Sequence, residues 1–233
     1  MRRSFLTPAL WIPAGLAIAL LGLPLVALIV RAPWVQLPEL LSRSEVLQAL
    51  GLSLATASIA TAVSLVLGIP LALVLARSAE WPAAPRRLLR ALVTVPLVLP
   101  PVVGGVALLL LLGRRGLIGQ FLPFQIPFST SAVVIAQVFV AMPFLVLAVE
   151  GAVRASDRRF ETAAATLGAT RWTILRRVTL PLVAPGVSAG ALLCFTRALG
   201  EFGATITFAG SFPGVTQTLP IATYLELQRD PDA

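Results

Sequence analysis

The chain contains no lysine and no histidine, and it has a single cysteine. Each absence excludes a chemistry. A phosphate-binding loop of the G-x4-G-K-[ST] kind needs its lysine to reach the nucleotide phosphates, so no such ATPase site can be present. Without histidine, Ser-His-Asp catalysis and zinc sites built from His and Cys are excluded. With only Cys194, no disulfide can form within the chain, and its place in an apolar run marks it as a small packing residue. We assign no catalytic residue, metal ligand or cofactor to this sequence.

Charge is also scarce. Of 233 residues, 12% are charged and 58% hydrophobic, and the mean hydropathy is +0.93. Soluble domains carry about 25% charged and about 45–50% apolar residues. A soluble chain of this composition could not cover its own surface. Ser4–Val30, Val46–Ala76, Ala91–Gly113, Gly116–Val149 and Val178–Thr196 hold no formal charge. A membrane helix needs about 20 apolar residues. Four tracts exceed that, and the fifth reaches it once the apolar stretch beyond Arg197 is added. The bilayer core offers no water, so each tract must satisfy its own backbone. Apolar residues spread evenly around each turn, which predicts helices and not the alternation of barrel strands. The expected fold is an all-α, polytopic helical bundle, one transmembrane domain over 1–233. Its spans fall at 9–30, 47–76, 89–112, 131–152 and 183–205. Met1-Arg2-Arg3 before an apolar run resembles a signal peptide. The run is longer than an h-region of about 7–15 residues and lacks a small-x-small cleavage site, so the expectation is a retained first helix.

The net charge of +8 comes entirely with arginine as the base. These arginines sit at tract ends, which points to orientation in a membrane and away from nucleic acid. With the N-terminus inside, Arg2, Arg3, Arg77, Arg86, Arg87, Arg90, Arg154, Arg158, Arg159, Arg171, Arg176 and Arg177 face the cytoplasm. Among the loops between spans, Arg31, Arg43, Arg114 and Arg115 face outward. Arg114-Arg115 runs against the trend, as an overridden loop or as a basic mouth for an anion. Segments 31–46 and 113–130 become outer loops, 77–88 and 153–182 inner ones, and 206–233 begins outside. Five spans leave the C-terminus outside, on the polar Arg229–Ala233, so a sixth helix is expected to be missing.

Three stretches carry mechanism. In the inner loop, Ser156 or Asp157 can cap a helix that Gly168 ends. Thr170 can cap a second helix, which Pro181 stops. Between the caps, Ala163, Ala164, Ala165 and Leu167 give a small apolar face flanked by arginines. This suits helix-in-groove docking of a partner, or an amphipathic loop on anionic lipid. Pro100 and Pro101, beside Gly104, break the third span, and such a break is tolerated only against protein or a water-filled cavity. It marks a path-lining or a kinked packing helix. Finally, Arg197 and Glu201 lie four apart and can pair on one helix face. Gly200 and Gly203 thin that helix, and Thr205 and Thr207 offer hydroxyls to an oxyanion. The pair is a structural clasp, a transport element, or both.

The inner loop resembles the EAA loop of ABC importer permeases, E-A-A-x3-G-x9-I-x-L-P. Counted from Gly168, Ala163 and Ala164 match the alanines, Val178 stands for the Ile, and Leu180-Pro181 match the end. Thr162 occupies the usual Glu position, with Glu161 one residue earlier. The resemblance implies that Glu161, Thr162, Ala163, Ala164, Gly168 and Arg171 couple the chain to a separate ATP-binding subunit, which fits the missing lysine. The Pro96–Gly105 and Phe195–Phe208 stretches, with Pro213–Pro220, resemble molybdate permeases of the type I importer kind. That resemblance implies a homodimer, an extracytoplasmic oxyanion-binding protein and molybdate transport by ATP-driven alternating access. The expected path residues are Pro100, Pro101, Gly104, Arg197, Glu201, Gly203, Thr205 and Thr207. Tungstate, sulfate or thiosulfate permeases are the near alternatives. A secondary anion transporter would require no ATPase, and no clear inverted repeat supports one. A non-transporting scaffold has no need of broken spans and intramembrane charges.

Overall fold

The structure, a computed structural model, describes residues 10–229, and every regular element among them is helical. Arg2, Arg3, the start of the first expected span and the tail after Arg229 lie outside the described residues. The chain falls into two compact units, Met1–Ser44 and Glu45–Ala233.

In the first unit, α1 (Trp11–Arg31) has no buried residue, and α2 (Leu37–Ser42) follows a turn. The turn is closed by the Trp34 indole N–H, which donates to Ile29 O at 2.8 Å.

The second unit is built on α3 (Ser44–Arg77), α6 (Thr130–Ala155) and α9 (Leu180–Leu199). Lipid tails are as apolar as leucine, so association in a membrane depends on close packing, and small residues at contacts allow it. α6 and α9 meet this way. A Cβ on Gly186 would meet that of Ala152 at 2.3 Å, and one on Gly190 would meet that of Ala148 at 3.0 Å. Two ridges of small residues, each spaced by four, mesh along one seam. Ala57, Ala60, Leu75, Leu145, Val146 and Cys194 belong to the cluster beside it.

The third expected span is not one helix. α4 (Ala83–Val98) and α5 (Pro101–Leu112) are bent by 120° at Leu99-Pro100. Neither proline N–H exists to bridge the joint, and Pro101 instead starts α5, where no donor is needed. The fifth expected span also differs. It stops at Leu199, Gly200 follows, and a separate short α10 (Gly203–Ala209) begins. Beyond it, in the segment to which no helix is assigned from the sequence, lies α11 (Leu219–Arg229). Tertiary packing holds it: Ile221 is buried, the Tyr224 ring lies 4.8 Å from that of Phe202, and Leu219 N–H donates to Ser53 Oγ at 2.7 Å.

Candidate functional site

The segment after α6 begins with two local bonds. Ser156 Oγ–H donates back to Val153 O at 2.7 Å, and Asp157 Oδ1 accepts from Arg159 N–H at 2.9 Å. Asp157 thus starts α7 (Arg159–Thr166). The helix ends in a Schellman motif: Gly168 N–H reaches Ala165 O at 3.0 Å and Ala169 N–H reaches Ala164 O at 3.1 Å. Gly168 supplies the left-handed residue this motif requires, with φ of +82°. Thr170 Oγ1 accepts from Thr173 N–H at 3.2 Å and opens α8 (Arg171–Ile174).

Pro181 does not stop that second helix. α8 passes through a π turn over Leu175–Thr179 into α9, giving one helical run from Arg171 to Leu199. In the π turn Leu180 N–H reaches back five residues to Leu175 O. The wider turn removes the usual clash of a proline ring with the carbonyl four residues before it.

α7 has two faces. Phe160, Ala163 and Leu167 are exposed along one side, and Trp172 is exposed just after it. Glu161 turns the other way. Its Oε1 lies 3.2 Å from Arg77 Nη2 at the end of α3 and accepts from Thr179 Oγ1 at 2.5 Å in the π turn. Thr162, Gly168 and Arg171 are exposed, and Ala164 is half-buried.

The other two stretches meet at one crossing. A Cβ on Gly203 would come within 2.9 Å of Pro101 Cβ, and one on Gly105 within 2.8 Å of Ala204 O. α5 and α10 therefore touch backbone to backbone, just past the 120° bend. Gly104 faces the Phe139 ring of α6. A mainly apolar groove of about 330 Å³, lined by Thr94, Val95, Val98, Leu99 and Pro100, opens at the bend.

Arg197 and Glu201 pair at 2.6 Å, as their spacing predicts, but not on one helix face. Glu201 lies in the turn after α9. Its Oε2 holds Arg197, and its Oε1 accepts from Ala204 N–H at 2.8 Å. The carboxylate, 1% exposed, joins the end of one helix to the start of the next. Thr207 Oγ1–H is spent on Gly203 O at 2.8 Å, whereas the buried Thr205 hydroxyl has no partner among the described residues.

Sequence reasoning missed three features. Glu150, buried on α6, holds Arg90 of α4 at 2.5 Å and Arg154 at 2.8 Å. The four-residue spacing to Arg154 was a visible signal. The Gly186/Gly190 ridge was a readable small-xxx-small pattern. Gln137, fully buried in α6, carries no local signal.

Four long apolar helices, a fifth span bent at its middle and ion pairs buried among them define a polytopic α-helical membrane protein. The chain belongs to the family of binding-protein-dependent transport system inner membrane components, which matches residues 68–227. It is 50% identical over 226 residues to the molybdenum transport system permease protein ModB of Mycobacterium tuberculosis, covering 96% of this chain and 84% of that one. It is 44% identical over 185 residues to ModB of Escherichia coli K12, covering 78% and 80%. The sulfate transport system permease protein CysT of the same bacterium is 34% identical over 215 residues, covering 90% and 76%. Among solved structures, a bacterial ABC transporter that imports alginate superposes with a TM-score of 0.70 at 17% identity, covering 96% and 85%. The MetNI methionine transporter superposes at 0.60 and 20% identity, covering 79% of each chain. These likenesses establish the fold. The chain is a multi-pass inner-membrane protein of the ABC importer permease type.

Proposed function

We propose that this chain translocates molybdate across the cytoplasmic membrane as the permease of an ATP-driven importer. The observation that carries the reading is the 50% identity to a molybdenum permease over nearly the whole chain. The 34% identity to a sulfate permease favours a second tetrahedral oxyanion as the alternative, with tungstate between them. Two copies of the chain form the path, a separate subunit hydrolyses ATP, and an external binding protein delivers the anion. The N-terminus is cytoplasmic, which puts segment 153–182 on the ATPase side. The membrane chain performs no covalent chemistry.

In this reading the exposed Phe160–Ala163–Leu167 side of α7 enters a groove on the ATPase subunit, with Gly168, Thr162 and Arg171 at its margin. Glu161 acts from behind, fastening α7 to α3 and to the π turn. Pro100, Pro101, Gly104 and Gly203 shape the crossing that the anion passes, while Arg197 and Glu201 clamp it.

The deciding experiment is uptake of labelled molybdate, tungstate and sulfate by a strain lacking the gene. Loss of molybdate uptake that the wild-type gene restores is expected; unimpaired molybdate uptake overturns the substrate.

Two variants test the coupling segment. Gly168 has open space where a side chain would go, so Gly168→Val acts through the backbone alone. The left-handed conformation costs an ordinary residue about 1–2 kcal/mol, a factor of about 5–30 in favour of unwinding the end of α7. The protein should insert normally while uptake per ATP hydrolysed falls; an unchanged ratio counts against docking by α7. Arg77 is half-exposed, so its pair with Glu161 adds less than about 1 kcal/mol of stability. Arg77→Glu should nevertheless depress uptake, and the exchange Arg77→Glu with Glu161→Arg should restore part of it. Failure of the exchange to improve on the single variant removes the fastening role.

A further inference from the structure

Gln137 lies in the eighth position of the 26-residue α6 and is fully buried, yet neither atom of its amide has a hydrogen-bond partner among the described residues. A partner subunit could not reach a side chain with no exposed surface. Leaving a buried amide unmade is expensive, and each such group calls for a reason. A leucine of similar size would serve packing better.

Its surroundings suggest that reason. Val133 and Val140, four before and three after it on α6, line one apolar cluster together with Ala204, Phe208 and Ala209 of α10. Phe208 and Ala209 share a helix face with Thr205, whose buried hydroxyl is also unpartnered. Val134 and Ala141, three before and four after it, belong to the other cluster, so Gln137 sits at the junction of the two, on a helix that packs against the one carrying Thr205. α10 is bounded by breaks on both sides: it follows the turn at Gly200–Phe202 and ends at Gly210, with φ of +73°. The nearest carboxylate in sequence on that side, Glu201, is already neutralised by Arg197 and by Ala204 N–H. Neutral donors without a free acid are what a passing anion can use.

We propose that Gln137, with Thr205, is a transient binding point for the transported tetrahedral oxyanion, sealed while α10 lies on α6 and opened when the two part. The proposal rests on the transport reading above and adds the residues that hold the cargo.

The test uses the complete importer, permease with ATPase subunit and binding protein, in proteoliposomes. Molybdate, tungstate and sulfate uptake and ATP hydrolysis are measured for wild type, Gln137→Leu, Gln137→Met and Thr205→Val. Both Gln137 variants should assemble and melt at or above the wild-type temperature. Binding-protein-stimulated hydrolysis should stay near wild type while uptake per ATP falls about tenfold or more, the scale of one hydrogen bond to a charged group. Thr205→Val should lower the same ratio, more weakly. A structural lesion would instead lower uptake and hydrolysis together, and that result overturns the proposal, as does failure of both Gln137 variants to assemble. Unchanged uptake in Gln137→Leu also overturns it and leaves the transport reading standing. A wild type that takes up none of the three anions sinks both.

Discussion

Replacing Glu201 by alanine should cost the protein about 3–5 kcal/mol, the usual penalty for breaking a buried ion pair. The substitution leaves Arg197, 28% exposed, without its counter-charge. It also strips the acceptor from Ala204 N–H, at the point where α10 begins. Since domains hold only about 5–15 kcal/mol in reserve, the membrane yield and the melting temperature in detergent should both fall sharply. Arg197→Ala should be at least as damaging, because the charge left behind is then the one at 1% exposure. The double variant should be milder than the sum of the two single ones, since neither charge is then stranded. Strict additivity would mean that the two groups do not act as a pair, and the clamp assigned to them would fall with it.

A second large effect is expected at Gly105. An added Cβ would lie 2.7 Å from Thr207 Cβ and 2.8 Å from Ala204 O. The carbonyl belongs to the backbone of α10 and cannot swing aside as a side-chain end would. Gly105→Ala should therefore destabilise by about 1–3 kcal/mol through overpacking, and Gly105→Leu should prevent assembly. Gly151 is the control. It is also helical, but nothing lies within 4 Å of its Cβ position. Gly151→Ala should be neutral or stabilising by up to about 1 kcal/mol, from helix propensity alone. Melting curves that rank the two alanine variants the other way would disprove the backbone contact between α5 and α10.

How much of this was legible depends on the range of the interaction. The spans follow from composition, and the caps at Asp157, Gly168 and Thr170 from chemistry within a few residues, so both were readable. Pro100-Pro101 announced a break but not its angle, because the 120° bend is set by what α5 meets, namely Gly203 and Ala204. The end of α9 at Leu199 was hidden, since the mostly apolar stretch beyond Arg197 reads as continued span to 205 despite Glu201. Pro181 read as a stop because a π turn has no signature in residue type. Glu150 was counted as the end of a charge-free tract, although its partner Arg90 is sixty residues away in sequence. Glu161 was legible as one residue of the 153–182 loop, but its direction was not, because that depends on Arg77 and Thr179. Gln137 was one polar residue in an apolar run, indistinguishable from a surface position until its burial was known.

The π turn also changes how the spacing along this segment is counted. It takes up one more residue than an α-helical turn, and each α-helical residue advances the helix by about 100°. Deleting one residue of Leu175–Thr179 would return the run to plain α-helix and leave Gly186 and Gly190 in phase with Ala152 and Ala148. It would also bring back the clash between the Pro181 ring and the carbonyl four residues before it. The extra residue is therefore slack: it lets a proline sit inside one continuous helix without turning the seam that follows.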